Sequence, residues 1–472
     1  MGCGNINPLD GFRGFNLVQN PSFQAGLAGW VHSENVSVSD RLPFEGTQVA
    51  TMDINPASMY QDVSLAGTDC SPLFLSFNVV SNNQPDITVQ VLWLDSNHNY
   101  IASGLEMYIK ANTTDSANNG RVTFFDITDS PPPGAAFARL IFNKAEGFGE
   151  STVSIDQVIL APVGSANLLK NPSFEAGFIS WSGANYSVSF ETPLQGAADV
   201  TTALGGTLIQ DVPIENQPSG SSYLFSFGAY AEGSVSLTAQ VLWLDAGDNI
   251  IGSPGLEITI PSDILNQQEN YLTYLDLTNP APLNAVKARI LFDSDVADGS
   301  RLRIDQVIFA RAGSSNLLQN PSFEDGLNNW TDINGTTILG ADVYEGEAAG
   351  SLDIIGGVFL QDVFIPNAEG NCFVLNYGIR ARRNAGGGVT EHVIVKVLWL
   401  DDGGNEIGEG LTIVNYVRHN VGQFIQWLVY TGITEPAPPG TTAARIQITK
   451  LDSGTSNFGR IDIDKIVFGR LT

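Results

Sequence analysis

Apolar and polar residues alternate along this chain in short stretches. Tyr186-Ser187-Val188-Ser189-Phe190, Leu224-Phe225-Ser226-Phe227, the run from Leu237 to Leu244 and the run from Arg301 to Ile308 carry the pattern, and Gly, Asn, Asp and Pro bound each of them. A period of two puts one face of a strand towards a core and the other outward, and the punctuating residues are those that turns require. No segment keeps a helical period. The expected elements are therefore strands, roughly eight in every 150 residues, which is the density of a two-sheet sandwich.

The pattern recurs. Asn16 to Trp30 returns as Asn167 to Trp181 and again as Asn316 to Trp330, each opening with Asn-Leu and carrying Asn-Pro-Ser-Phe. Gln-Asp-Val at 61–63, 210–212 and 361–363 keeps step with it, as does Val-Leu-Trp-Leu-Asp at 91–95, 241–245 and 397–401. A Pro-rich turn leading to Arg139, Arg289 or Arg445, and a closing Ile-Asp at 155–156, 304–305 and 463–464, complete the signature. Units of this length are whole domains rather than solenoid repeats. The reading is all-β: a short N-terminal arm, residues 1–15, then three tandem jelly-roll β-sandwiches at 16–163, 164–312 and 313–472. The joints, Ala161 to Ala166 and Ala310 to Ser315, are a few small residues long. Joints so short predict a rod with limited bending.

Charge narrows the function. With 22 Lys+Arg against 50 Asp+Glu the formal net charge is −28, a field that repels phosphate backbones and excludes nucleic acid as a partner. At 43% hydrophobic residues the chain can build real cores, and no apolar run reaches the roughly 18 residues of a membrane span. Met1 to Pro8 shows neither the basic start nor the apolar stretch of a signal peptide.

Asn-Pro-Ser-Phe-Glu-x-Gly-x-x-x-Trp near the start of a unit and Ile-Asp-x-Val near its end resemble the jelly-roll carbohydrate-binding modules attached to xylanases and other glycanases. The resemblance covers all three repeats and implies a structural calcium between the Glu after the Phe and the closing Asp. Carried over, these are Glu175 with Asp305 and Glu324 with Asp464; repeat 1 departs, because Gln24 stands opposite Asp156. Two carboxylates and backbone carbonyls suit a hard cation. The alternative is that these acids cap strand ends or pair with Arg.

Sugar-binding modules stack exposed aromatics on pyranose faces. Trp30, Trp181 and Trp330 share one repeat position and Trp93, Trp243 and Trp399 another, which reads as core filling; only Trp427 is unmatched. The Asp-x-x-x-Asn segments at 95–99, 245–249 and 401–405 read as hairpin turns. His32, His98, His392 and His419 occupy unrelated positions, and no nucleophile elbow or phosphate loop is present, so no enzyme is expected. Repeat 3 carries an inserted cationic cluster, Arg380, Arg382 and Arg383. The cysteines, Cys3, Cys70 and Cys372, do not repeat as a set, and an odd count suggests intermolecular disulfides, with three reduced thiols as the alternative.

Two functions follow. The first is a non-catalytic structural protein of a cell or spore surface, self-associating head to tail into a homo-oligomer or fibre. Its contacts would be the arm residues Ile6, Phe12 and Phe15 and the Arg cluster. The second is a glycan-binding adhesin or multivalent lectin built on the same fold. Fold alone does not choose between them.

Overall fold

A computed structural model describes residues 15–115, 120–340, 343–353, 356–382, 392–415, 426–451 and 459–472. Repeat 1 contains ten strands: β1 (Val31–His32), β2 (Val36–Ser39), β3 (Val49–Met52), β4 (Ala57–Ser64), β5 (Leu73–Asn82), β6 (Ile87–Leu94), β7 (Tyr100–Ile109), β8 (Val122–Ile127), β9 (Phe137–Lys144) and β10 (Thr152–Pro162). They form two five-stranded antiparallel sheets, in the orders β1-β4-β9-β6-β7 and β2-β3-β10-β5-β8, and repeats 2 and 3 reproduce both orders. This is the jelly-roll sandwich that the alternation predicts.

The signature residues hold the sandwich together. Asn20 Nδ2 donates to the carbonyls of Gly26 and Ala28 and closes the opening turn, and the Trp30 indole donates to Asn20 O. Gln61 clamps the backbone of Gln19 through both ends of its amide. The neighbouring Asp62 takes a bidentate bond from Arg139 across the β4–β9 ladder, as Asp211 does from Arg289 and Asp362 from Arg445. All seven Trp are buried. Asp95 Oδ1 accepts the N–H groups of Asn97 and Asn99 in the turn after β6.

The two sheets differ in their outer faces. In the first, β4, β6 and β9 alternate buried and half-buried positions, with one face in the core and one towards water. In the second, β5, β8 and β10 are buried at nearly every position. A strand covered on both faces needs a second layer outside its own sandwich; the other two repeats supply it.

The three repeats close on one another, and the expected rod is not what forms. Gly196 N donates to Tyr108 O, Gly346 N to Thr259 O, and Gly46 N to Val414 O, so repeat 2 leans on 1, repeat 3 on 2, and repeat 1 on 3. At the centre the Thr123 hydroxyl donates to Val429 O at 2.8 Å, Thr273 to Thr123 O at 3.1 Å, and Tyr344 to Thr273 O. Each repeat thus touches both others around a pseudo-threefold axis. Short joints impose proximity, as read from the sequence, but the apolar outer face of the second sheet turns proximity into side-by-side packing.

One loop in each repeat makes the wedge. A bulge in the closing strand places Gln157, Gln306 and Lys465 at φ of 50°, 51° and 51° and re-aims them across the seam. The Asp before each bulge accepts backbone N–H groups of the wedge loop: Asp156 from Phe44 and Glu45, Asp305 from Gln195, Asp464 from Tyr344 and Glu345. The wedges then insert. Phe44 stacks on Tyr430 at 3.8 Å and 4°, Tyr344 packs on Tyr274 at 4.6 Å, and Leu194 joins the core of repeat 1.

Candidate functional site

Where the first two repeats meet, a cleft of about 390 Å³ opens between the loop after β7 and the rim of repeat 2. Lys110 Nζ donates to the carbonyls of Phe190 and Glu191, and the Thr113 hydroxyl to that of Pro193, so the wall contributed by repeat 1 is fixed to repeat 2. Opposite stand Tyr230 and Tyr271, with ring centroids 5.7 Å apart and planes at 36°. Asp115, Glu191, Glu232 and Glu269 add carboxylates to the lining.

Beneath the tyrosines lies a buried network. The Tyr271 hydroxyl donates to Asp199 Oδ2 at 2.9 Å, and the side chain of Arg303, only 2% exposed, reaches Asp199 at 3.2 Å, Ser189 at 2.8 Å and Glu191. Burial drives the Tyr271 hydroxyl well above its ordinary pKa, with the Asp199 and Asp305 charges adding to it, so it stays a protonated donor. Arg303 and then Arg301 hold Glu191 below the usual carboxylate range. Tyr271 is itself buried, so the half-buried Tyr230 is the aromatic that the cleft presents, and with the surrounding acceptors it suits a polyhydroxylated ligand.

A second, shallower cleft of about 640 Å³ shares Glu191 with the first and is flanked by Phe190 and Leu204, which are 66% and 77% exposed. The two clefts meet at Glu191 on the edge of repeat 2. Their residues break the repeat. Tyr230 corresponds to Val80 and Arg380 in the strand registers, and Arg303 to Ser154 and Asp462. Phe190 corresponds to Asp40 and Leu339, and Tyr271 to Arg121 and Trp427. Sequence reasoning looked for ligand-binding aromatics among the Trp and passed over these. The available signal was asymmetry: a Tyr or Phe in one copy where the other two hold unrelated residues.

The residues singled out from sequence fall elsewhere. Glu175 accepts the N–H groups of Ala197 and Ala198, and Glu324 those of Glu347 and Ala348. In repeat 1 the Gln24 amide nitrogen donates to the carbonyls of Ser22, Glu45 and Gln48 at 2.6, 3.2 and 3.3 Å. A convergence of three carbonyls is a donor set that fits a hard cation where a Glu replaces the Gln. Asp305 and Asp464 serve the wedge instead, each oxygen taking backbone N–H donors, so the Glu–Asp pairing implied by the resemblance is not the arrangement seen.

Cys70 is disulfide-bonded. Cys372 is a buried free thiol whose pKa burial pushes up to about 12, which suits it poorly to bonding a neighbouring molecule. Cys3, Ile6, Phe12 and Arg383 lie outside the described residues. Phe15 packs against the core of its own repeat. Arg380 is no surface cation: it pairs with Asp462 at 2.9 Å, both side chains fully buried, beneath the Trp427 ring. Arg382 ends its strand.

No protein-family model and no curated protein matches the chain. Among solved structures it is similar to the N-terminal CBM22-1-CBM22-2 tandem domain of Xyn10C from Paenibacillus barcinonensis. The identity is 14%, over 64% of this chain and 99% of that one, with a TM-score of 0.25. It is also similar to the module TmCBM61 in complex with β-1,4-galactotriose, at 22% identity over 31% of this chain and 99% of that one, TM-score 0.24. A third likeness is to a tailspike protein of bacteriophage CBA120, at 19% identity over 33% of this chain and 21% of that one, TM-score 0.26. The jelly roll itself is read from the sheet orders given above.

Proposed function

We propose that this chain is a non-catalytic carbohydrate-binding protein of an extracellular or surface location. Its three jelly rolls form one ring, and its ligand seat is the groove at the seam of repeats 1 and 2. The observation that carries the reading is the placement of Phe190 and Tyr230 at the two clefts that meet at Glu191, where the other two repeats hold no aromatic residue. Two further facts support it. The Cys70 disulfide suits an oxidising compartment, and the joints that hold the three repeats in one ring bring Lys110 and Tyr230 of different repeats to the same cleft. Among the described residues no helix is long and apolar enough to cross a membrane.

The head-to-tail structural reading fares less well. Arg380 is buried, Phe15 is engaged with its own repeat, and the faces that would propagate a chain of sandwiches pack against one another within one molecule. The rest of the arm, with Cys3, Ile6 and Phe12, and Arg383 lie outside the described residues.

Titration calorimetry of the full chain with neutral xylo-, gluco- and galacto-oligosaccharides tests the proposal. At least one series should bind, and Phe190→Ala or Tyr230→Ala should weaken it by about tenfold with melting temperature little changed. Binding left intact in both variants would move the seat elsewhere, and no binding across the panel would sink the function.

A further inference from the structure

We infer that Lys110 is the positioning residue of the seat: from repeat 1 it holds the backbone that carries Phe190 in repeat 2, so that glycan affinity is set at the contact between the two repeats. The inference rests on the carbohydrate reading above and concerns what regulates the same seat. Phe190 follows the edge strand Ser187–Ser189 and is 66% exposed, so little packing fixes it. A loop that the ligand itself must order loses affinity to that ordering. Here the loop is ordered beforehand, largely by repeat 1. Lys110 Nζ donates to Phe190 O at 3.1 Å and Glu191 O at 3.4 Å, the Thr113 hydroxyl donates to Pro193 O at 3.4 Å, Leu194 is buried in the core of repeat 1, and Gly196 N donates to Tyr108 O at 2.6 Å. From within repeat 2, Arg303 bonds the side chains of Ser189 and Glu191.

The lysine stands on a fixed base. It begins the turn after β7, and the buried Gln84 clamps that turn from inside repeat 1: its Nε2 donates to Pro85 O at 2.8 Å and Lys110 O at 3.0 Å, while its Oε1 accepts the N–H and hydroxyl of Thr114 at 2.8 and 2.9 Å. Asp86 Oδ1 accepts the next N–H, that of Ala111, at 2.9 Å. Only the side chain of Lys110 crosses the seam. An ammonium has three donors, enough for two carbonyls at once, and its charge strengthens both bonds. The device is particular to this seam. The strand registers place Pro261 where Lys110 stands, and proline has no side-chain donor. The loop that packs beside Pro261 carries Leu339 at the position of Phe190. Clamp and aromatic therefore occur together at the 1–2 seam and are both missing at the 2–3 seam, whereas a lysine needed only to close the ring would serve either.

The test titrates neutral xylo-, gluco- and galacto-oligosaccharides into the full chain as wild type, Lys110→Met, Lys110→Arg, Phe190→Ala and the double variant of Lys110→Met with Phe190→Ala. Lys110→Met should weaken binding about tenfold, and Lys110→Arg, which keeps charged donors for both carbonyls, should bring affinity back to within about threefold of wild type. The bonds lie at the surface, so the melting temperature of Lys110→Met should fall by no more than about 2 °C. In the Phe190→Ala background Lys110→Met should add almost nothing, because a positioning residue acts through the group it positions. Equal losses in both backgrounds would show that the lysine touches the ligand itself. Wild-type affinity in Lys110→Met, or a loss that Lys110→Arg does not recover, would also overturn the inference, while a weakened Phe190→Ala would still mark the seat. If Phe190→Ala binds as wild type does, or wild type binds none of the sugars, the seat is misplaced and the inference falls with it.

Discussion

Gly196 shows how much one position does in this molecule. Its φ of +74° lies in the left-handed region, a Cβ there would stand 2.1 Å from Glu175 Oε1, and its N–H reaches across the seam to Tyr108 O. Gly46 and Gly346 repeat all three features against Gln24 and Glu324. Gly196→Ala should therefore cost about 2 kcal/mol or more, from backbone strain and the displaced Glu175 together, measured by denaturant unfolding of the full chain. A loss below about 0.5 kcal/mol would mean the wedge loop is not held as described. Beside the same glycines, Glu175 and Glu324 stand where Gln24 gathers three carbonyls. Calcium should raise the melting temperature of the full chain by mass action, and Glu175→Gln with Glu324→Gln, which copy repeat 1, should remove the response to chelator. A chelator effect that survives both substitutions would place any cation elsewhere.

At the scale of elements, the bulged closing strand is the device that turns a sandwich into a ring member. The same bulge presents three different side chains. Gln157 Oε1 accepts Thr431 N at 3.5 Å, the Gln306 side chain bonds Asp126, and Lys465 pairs with Asp276 at 2.7 Å and Glu345 at 3.3 Å. Burial works against the charge on Lys465, but these two carboxylates hold its pKa above the ordinary value. Lys465→Gln makes the 2–3 seam resemble its sisters yet leaves two buried acids without their cation. It should cost about 3–5 kcal/mol, and adding Asp276→Asn should recover part of the loss. No recovery in that double-mutant cycle would argue that the ion pair and the seam are uncoupled.

Across the whole molecule, the seam between repeats 3 and 1 is the one no joint spans, and it carries no Lys465. There Glu45 sits beside Asp156, with Arg121 nearby and Gln157 bonded to it. Burial, then the Asp156 charge, pushes Glu45 up to about 8. Asp156 is raised to about 7 by burial, against the backbone N–H groups and Arg121 that favour its charge. At the 1–2 seam, burial raises Asp126 to about 7. A carboxyl whose pKa is higher in the folded state contributes its full stability below its unfolded value near 4, and loses it as pH rises through the folded value. The ring should be most stable near pH 4–5 and weaken towards pH 8. Repulsion among the 50 acids acts in the same direction, so the decisive comparison is Glu45→Gln, whose melting temperature should fall less over pH 5–8.5 than that of wild type. Parallel curves would remove Glu45 from the account.

Much of this was legible in the chain itself. Strand alternation with Gly, Asn and Pro punctuation can only be satisfied by sheets with one face inward, and three copies of a signature can only be three like units. Recurrence of each Trp set at one repeat position favoured core over a sugar platform, and burial of all of them agrees. What the sequence could not decide is who covers the outer face of the second sheet. Runs such as Leu73-Phe74-Leu75-Ser76-Phe77 and Val153-Ser154-Ile155-Asp156 announce strands buried on both sides, but a sister repeat, a second chain or a donated arm satisfies the same pattern equally well. Hydrophobic burial is non-directional and reports only that apolar area leaves water. The tertiary structure chose the sister repeats, because joints of a few residues hold them at high effective concentration and the wedge, bulge and central threonines match around a common axis. The groove followed from that choice: Lys110 and Tyr230 lie some 120 residues apart on different repeats, and only closure of the ring makes them two walls of one site.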